Sequence, residues 1–493
     1  MSIDQSTLKE HQREGVAWMM EKVGKRQGFV LGDDMGLGKT LQILCVVERL
    51  WERGGQSVLV LAPRTLVKNW ALEIEKFAPS LPHRLATEAA QAEKLLRASE
   101  GKYVVIMGYE MAQRKHRVLR RMYFDLVVMD EAQRIKNKEA RISVLCRSLD
   151  AGIKTAVTGT PIQNNLMELW SIVETVRPKH FWDSARFKTE IDEPLKRSKL
   201  KRASPHDKAR GEAINAYLKE SIASIILRRT KEEAGVLLPP KHEAIVFCPL
   251  SEEQQSLYLE ALQDDQTRTT ILGKSCPLKT ISRLRQICSH PGLVTKTYAG
   301  ESGKVDFLHR LLQIWEKRSE TRKVLVFCQY REMLQIIGRT LALPFAVIDG
   351  QTPPSKRIDV ISAFGQGAGS EVLLLSTRIG GVGVNIPQAN TVVLFDLDWN
   401  PFNEEQAKGR AHRMGQVGPV DVFRFICKGT IEDSIYTSQE MKKDLSSGVF
   451  HQAPARIKTN PRAFDKIDLC RLFHYSHDPL DVTELGPDRP PRS

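Results

Sequence analysis

Short runs of β-branched and aliphatic residues recur along the chain. Five precede residue 161 (GFVLGDD, SVLVLAP, YVVIMGY, DLVVMDE and KTAVTGT) and five follow residue 320 (KVLVFCQ, FAVIDG, EVLLLST, TVVLFD and DVFRFI). Each run is apolar at consecutive positions rather than alternate ones, which is the pattern of strands covered on both faces. Helix-like segments separate the runs, so the chain reads as α/β, with two lobes each built on a parallel sheet. Between the lobes the texture changes. EPLKRSKLKRASPHDKARGEA at 193–213 is highly charged, and INAYLKESIASIILRRTKEE and SEEQQSLYLEALQDDQ carry apolar residues at three- and four-residue spacing, which predicts helical insertions and no third domain. The expected division is a first lobe over 1–178, a helical protrusion and linker over 179–243, a second lobe over 244–445 with a helical insertion at about 250–300, and a tail over 446–493. The mixed composition of the tail and its Pro-rich GPDRPPRS end predict disorder. Beyond a weak likeness of the two halves there is no repeat of 20 to 50 residues.

Composition adds a partner class. Of 493 residues, 41% are hydrophobic, enough for real cores, and 73 Lys and Arg against 59 Asp and Glu give a formal net charge of +14. That excess favours a polyanion, nucleic acid before membrane, although solubility alone would also account for it. The basic cluster Lys196, Arg197, Lys199, Lys201 and Arg202 reads first as a solvated surface or an import signal, with DNA contact as the rival. Eight cysteines (45, 146, 248, 276, 288, 328, 427 and 470) are scattered without a C-x-x-C pair, and they read as reduced, mostly buried intracellular thiols rather than disulfides or zinc ligands. The N-terminal stretch MSIDQSTLKEHQREG lacks an apolar secretory core, and no run reaches the ~18 apolar residues of a membrane span. A soluble protein with no membrane partner is expected.

The chemistry starts at GFVLGDDMGLGKT, a strand, a glycine-containing loop and the helix TLQILCVVERLW. Gly36 and Gly38 would let the backbone N–H groups of the loop Asp34, Met35, Gly36, Leu37, Gly38 approach phosphate oxygens, and Lys39 supplies a positive charge beside the helix N-terminus. Thr40 offers a hydroxyl to Mg²⁺. Asp33 stands where a strict G-x-x-x-x-G-K-[ST] loop has its first glycine, but Gly32, Gly36 and Gly38 remain for the tight turns. In FDLVVMDEAQ an apolar strand delivers Asp130, a candidate Mg²⁺ holder, and Glu131, a candidate to orient and deprotonate the attacking water. The alternative, two carboxylates capping the next helix, is disfavoured by the GKT loop upstream. ATP with Mg²⁺ is the expected cofactor pair.

The order of motifs carries a resemblance. LKEHQREGVAWM, DDMGLGKT, VLAPRTLVKNW, MGYEM, MDEAQRIKN, TGTPIQNN, LRRTKEE, LRQICSHP, VLVFCQY, IDGQTPPSKR, LLSTRIGGVGVNI, FDLDWNPFNEEQAKGRAHRMGQ and VFRFICKGTIED follow one another over residues 8 to 440. This series closely resembles the Snf/Swi-type family of superfamily-two helicase-like ATPases, the motors of chromatin remodelling and DNA repair. The resemblance implies two tandem RecA-like lobes. It also resolves Asp33, because relatives commonly carry an acidic residue there. DEAQ departs from the DEGH or DEAH of most relatives; Gln133 can still hydrogen-bond across to the TGT segment, with coupling of hydrolysis to movement in question.

By the same resemblance Gln12 is the adenine-reading glutamine, its carboxamide able to donate and accept. Arg410 and Arg413 are arginine fingers brought from the second lobe, supported by Gln406; the rival is a surface ion pair. Arg64, Thr65, Thr160, Ser376, Thr377 and Arg378 lie on motifs at strand ends and suit DNA phosphates. Trp399 resembles a DNA-contacting tryptophan, with a buried Trp as its rival. LRRTKEEAGVLLPPKHEAIVFCPLSEEQQSLY and the segment from GTIED onward look most like the Cockayne-syndrome-B type, with the recombination-repair remodellers next.

The expected function is therefore a DNA-dependent ATPase that translocates on double-stranded DNA as a monomeric motor, acting on nucleosomes or stalled transcription complexes. Its compartment would be nuclear in a eukaryote and cytoplasmic in a bacterium. Two other readings remain: a nucleotide-gated DNA clamp or recruitment scaffold, and an RNA helicase.

Overall fold

The computed structural model describes residues 3, 8–86, 103–159, 166–198, 203–236, 238–264, 277–298, 300–317, 322–365, 371–377, 386–437 and 439. Thr160, Arg378, Lys199, Lys201, Arg202, Cys276, Cys470 and the tail 446–493 lie outside the described residues.

All ten apolar runs are strands, and three further strands join them. The first sheet contains β1 (Phe29–Leu31), β2 (Ser57–Ala62), β3 (His83–Ala86), β4 (Tyr103–Gly108), β5 (Tyr123–Asp130), β6 (Asp150–Val157) and β7 (Ile226–Leu227), in the spatial order β3-β4-β2-β5-β6-β1-β7. The second contains β8 (Lys241–Phe247), β9 (Val324–Cys328), β10 (Phe345–Ile348), β11 (Val372–Ser376), β12 (Thr391–Leu394) and β13 (Val420–Ile426), in the order β10-β11-β9-β12-β13-β8. Every strand pair is parallel. The C-terminal ends of all strands in a sheet therefore share one edge, and the loops that bind ligands gather there.

Burial explains the continuous apolar runs. On β2, Val58, Val60 and Ala62 enter one core while Leu59 and Leu61 enter the core on the opposite face. The same division separates Val324 and Val326 from Leu325 and Phe327 on β9. A side chain fully buried on either face contributes about 1.5–3 kcal/mol.

The segment 179–243 does more than protrude. Helices Glu193–Ser198 and Pro205–Ala223 are there, the latter started by Ser204, whose hydroxyl accepts from the Asp207 N–H, and by Pro205 at its first turn. Phe187, Leu218 and Ile222 join the first lobe's core. The run INAYLKESIASIILRRTKEE was expected to be helical throughout, and here the expectation needs correction: the helix ends at Ala223, and Ile226–Leu227 pairs with Val30–Leu31 as β7. The pairing covers the edge of β1, where the Val30 and Gly32 N–H groups donate to the carbonyls of Ile225 and Leu227. The second lobe's insertion, helices Glu252–Gln263 and Pro277–Ser289, packs Tyr258, Ile281 and Leu284 against Leu397, Ile426 and Ile431. Six described cysteines, Cys45, Cys146, Cys248, Cys288, Cys328 and Cys427, are buried free thiols. Among the described residues no helix is long and apolar enough to cross a membrane.

Candidate active site

The phosphate loop joins β1 to helix α2 (Lys39–Glu52), and helix α1 (Glu10–Gly24) packs beside it. Gly36 and Gly38 have φ of 91° and 75°, a left-handed backbone that a side chain would strain. A Cβ on Gly38 would also come within 2.3 Å of Gln12 Nε2. The Leu37 carbonyl accepts from Gln12 Nε2 at 3.2 Å and from Gln42 Nε2 at 3.4 Å, with His11 Nε2 also 3.2 Å away. Gln12 is buried, and its Oε1 accepts from the Lys9 N–H at 3.0 Å. The amide nitrogen thus ties α1 to the loop, while the amide oxygen caps the N-terminus of α1 itself. Lys39 Nζ donates to the carbonyls of Asp33 and Asp34 at 2.7 and 3.0 Å. Burial lowers the pKa of Lys39, against the opposing pull of Glu131, Asp33, Asp130 and Asp34. Thr40 follows on the first turn of α2.

Asp33 has a partner far along the chain. Its buried carboxylate receives Arg229 Nη2 at 2.6 Å and Nε at 3.1 Å, with Gln42 Nε2 at 3.2 Å. Arg229 also donates to the His11 carbonyl and to Gln42 Oε1. A bidentate guanidinium is the partner a buried carboxylate needs. The residue in the place of the missing glycine is therefore an anchor of the loop.

Asp130 ends β5. Trp70 Nε1, on helix α3 (Val67–Phe77), donates to its Oδ2 at 2.8 Å, and the Tyr109 hydroxyl donates to its carbonyl at 2.7 Å. Burial and the neighbouring Glu131 raise the Asp130 pKa to about 7. Glu131 adopts a left-handed backbone, φ 48° and ψ 56°, a conformation that costs a non-glycine residue of order 1 kcal/mol. Gln133 Nε2 donates to Glu131 Oε2 at 2.8 Å, while its Oε1 accepts from the Thr158 hydroxyl at 3.2 Å. Gln133 thus bridges the carboxylate to the strand end after β6. The adjacent carboxylates Asp130 and Glu131 at the end of β5 and the Thr40 hydroxyl on the first turn of α2 are hard oxygen donors of the kind that fit a divalent cation such as Mg²⁺.

The second lobe meets this site through helix Pro401–Lys408 and the turn after it. Gln406 is buried on that helix. Arg410 is buried, its pKa lowered to about 10 by burial against the attraction of Glu131. A Cβ on Gly36 would lie 3.4 Å from the Cβ of Arg413, and one on Gly409 would lie 3.8 Å from the Cβ of Met35. Arg413 also faces Glu73 of α3, whose carboxylate partly offsets the effect of its burial. The expected residues Lys39, Asp130, Glu131, Arg410 and Arg413 are therefore brought to one crevice.

The expected DNA-contacting residues are more dispersed. Arg64 is exposed and Thr65 half-buried just after β2, whereas Ser376 and Thr377 are buried at the end of β11. Trp399 is half-buried against the second lobe's insertion core. Trp70, Tyr109, His11, Gln42 and Arg229 are neighbours of the site that sequence reasoning passed over. For Arg229 the sequence offers only a general signal: a loop carboxylate destined for burial requires a cation, and RR follows the run SIASIIL, but nothing local joins the two.

The SNF2-related domain profile matches residues 11–293, and the Helicase conserved C-terminal domain matches residues 303–415. Protein CHROMATIN REMODELING 8 of Arabidopsis thaliana is 30% identical over 96% of this chain and 43% of its own length. DNA excision repair protein CSB of Oryza sativa is 29% identical over 96% and 43%, and DNA repair and recombination protein RAD54B of Gallus gallus is 31% identical over 90% and 54%. The chain thus spans about half the length of these curated relatives. A solved structure, the Sulfolobus solfataricus SWI2/SNF2 ATPase core in complex with dsDNA, aligns over 91% of this chain and 95% of its own at 29% identity, with a TM-score of 0.45. With two parallel-sheet lobes and a matching profile over more than half of its residues, the chain belongs to the SNF2-related family of helicase-like ATPases.

Proposed function

We propose that this chain is a DNA-stimulated ATPase that couples ATP hydrolysis to movement along double-stranded DNA and so remodels protein–DNA complexes. The observation that carries the reading is the convergence of Lys39, Asp130, Glu131, Arg410 and Arg413 from two lobes on one crevice. Lys39 and the loop amides neutralise and orient the phosphates of ATP. Glu131, held by Gln133, orients the attacking water and accepts its proton. Arg410 and Arg413 stabilise charge developing on the transferred phosphoryl group, which requires the lobes to be closed. Thr40 and Asp130 would hold Mg²⁺, which when bound neutralises phosphate charge. Hydrolysis removes the reason for closure, so alternating grip on DNA phosphates by the two lobes gives movement.

DNA as the track is supported by the +14 net charge, by the exposed Arg64 at the open edge of the first sheet, and by relatives named for DNA excision repair and for DNA repair and recombination. Nucleosomes or stalled transcription complexes are the proposed obstacles. Steady-state ATPase activity without nucleic acid, with duplex DNA, with single-stranded DNA and with RNA, each beside Lys39→Ala, tests the reading. Strong stimulation by duplex that is lost in Lys39→Ala is expected, together with ATP-dependent triplex displacement. Stimulation by RNA alone, or hydrolysis without displacement, would overturn it.

A further inference from the structure

The chain between the lobes is bound to the phosphate loop at successive residues. Beyond the β1–β7 pairing, the Gly32 N–H donates to the Leu227 carbonyl at 2.7 Å and the Asp34 N–H to the Arg229 carbonyl at 2.9 Å. The Lys231 backbone N–H then bonds to the Asp34 carboxylate, and the Arg229 side chain clamps Asp33. Main chain and side chains thus fix residues 227–231 to residues 32–34 in a single register.

The same segment reaches the other lobe. Lys231 Nζ donates to the carbonyl of His412 at 2.7 Å, and His412 Nε2 lies 2.9 Å from the Pro239 carbonyl. His412 stands between Arg410 and Arg413. Both its main chain and its ring are therefore tied to the connecting segment, which places a two-point support under the turn that carries the arginines.

We propose that residues 227–231, with Pro239 farther along the connecting segment, form a strap that transmits the state of the phosphate loop to the arginine turn, with Lys231 as a positioning residue for Arg410 and Arg413. The role differs from that of a passive linker. Movement of Asp33 or Asp34 when phosphate enters the loop shifts the backbone of Arg229 and Lys231, and the Lys231 ammonium carries the shift to His412. The Lys231 ammonium donates to the His412 carbonyl and so acts through the arginine turn. Burial brings its pKa down to about 8, so a neutral or charged amine can donate there and a methionine of similar length would be tolerated. The inference rests on the ATPase reading.

The test uses the full chain carrying Lys231→Met or Lys231→Arg. Affinity for a fluorescent N-methylanthraniloyl-ATP, kcat and KM with saturating duplex, and thermal midpoint are measured for each. Lys231→Met is expected to bind the nucleotide within about threefold of wild type and to keep its melting midpoint, while kcat falls about tenfold or more; Lys231→Arg, which keeps a donor, restores most of the loss. A kcat for Lys231→Met within twofold of wild type would overturn the strap, as would a nucleotide affinity that falls as far as kcat, or no recovery in Lys231→Arg. A wild-type chain without duplex-stimulated turnover would remove the ATPase reading instead, and the two failures are distinguished by that control.

Discussion

The indole N–H of Trp70 donates to Oδ2 of Asp130 across 2.8 Å, so a residue of the first lobe's third helix fixes the carboxylate at the end of the central strand β5. With Glu131 N–H on the other oxygen at 2.8 Å, the Asp130 side chain has one orientation. Trp70→Phe keeps the ring and removes the donor. A hydrogen bond to a charged group contributes about 1.5–3 kcal/mol, so we expect kcat to fall about tenfold or more and the Mg²⁺ concentration for half-maximal rate to rise, with little change in melting midpoint. Titration of rate against Mg²⁺ checks this; an unchanged Mg²⁺ requirement would show that Trp70 serves packing alone.

Gln133 spans Glu131 Oε2 and the Thr158 hydroxyl, at 2.8 and 3.2 Å. Gln133→Ala releases the Glu131 side chain, so kcat is expected to drop about tenfold while ATP affinity stays within about threefold. Thr158→Val removes only the far bond and should show a smaller loss. Equal loss of affinity and kcat would argue that Gln133 supports the fold of the site and not the orientation of Glu131.

What could be read from the chain and what could not divides along physical lines. Ten strands were legible as unbroken apolar runs, which burial on both faces explains for interior strands such as β2 and β9; the edge strand β10 keeps its run although Phe345 and Val347 are exposed. The three missed, HRLA of β3, the two residues of β7 and KHEAIVF of β8, are all edge strands, where one side has no partner strand and polar residues are tolerated. The loop and the Asp130–Glu131 pair were legible because their chemistry needs adjacent residues. Arg229 was not, since it lies 196 residues from Asp33 and only the pairing of β7 with β1 brings them together. Gln12 was recognised by its motif, yet its hydrogen bond to Leu37 is set by how α1 packs on the loop.

The Asp33–Arg229 pair makes a prediction about stability. Asp33 is fully buried, and Arg229 Nη2 lies 2.6 Å from it. Arg229→Met alone strands a buried carboxylate and should cost about 3–5 kcal/mol. Asp33→Asn combined with Arg229→Met removes both charges and is expected to recover part of that loss, so the two changes should be non-additive in urea unfolding. Additive effects would mean that the pair does not act as a unit.

Acid sensitivity is expected in the second lobe. Glu243 on β8 accepts from the buried Lys408 Nζ at 2.6 Å and pairs with Lys241 at 2.6 Å. Burial alone would raise its pKa, but Lys408 and Lys241 outweigh burial and hold it at about 2. The folded state thus binds this proton less tightly than the unfolded chain, whose glutamates titrate near about 4.3. The stabilisation is fully present above that value and is lost as pH falls through about 2. Because the Glu243 side chain is 36% exposed, solvent screening limits it to the order of 1 kcal/mol. Glu243→Gln leaves Lys408 with Glu405 as its remaining carboxylate partner among the described residues. Its melting midpoint should therefore lie a few degrees below wild type at pH 7, and the gap should close as pH drops from about 4.5 towards 2. A gap that stays constant across that range would assign the loss to packing around β8 and not to the ion pair.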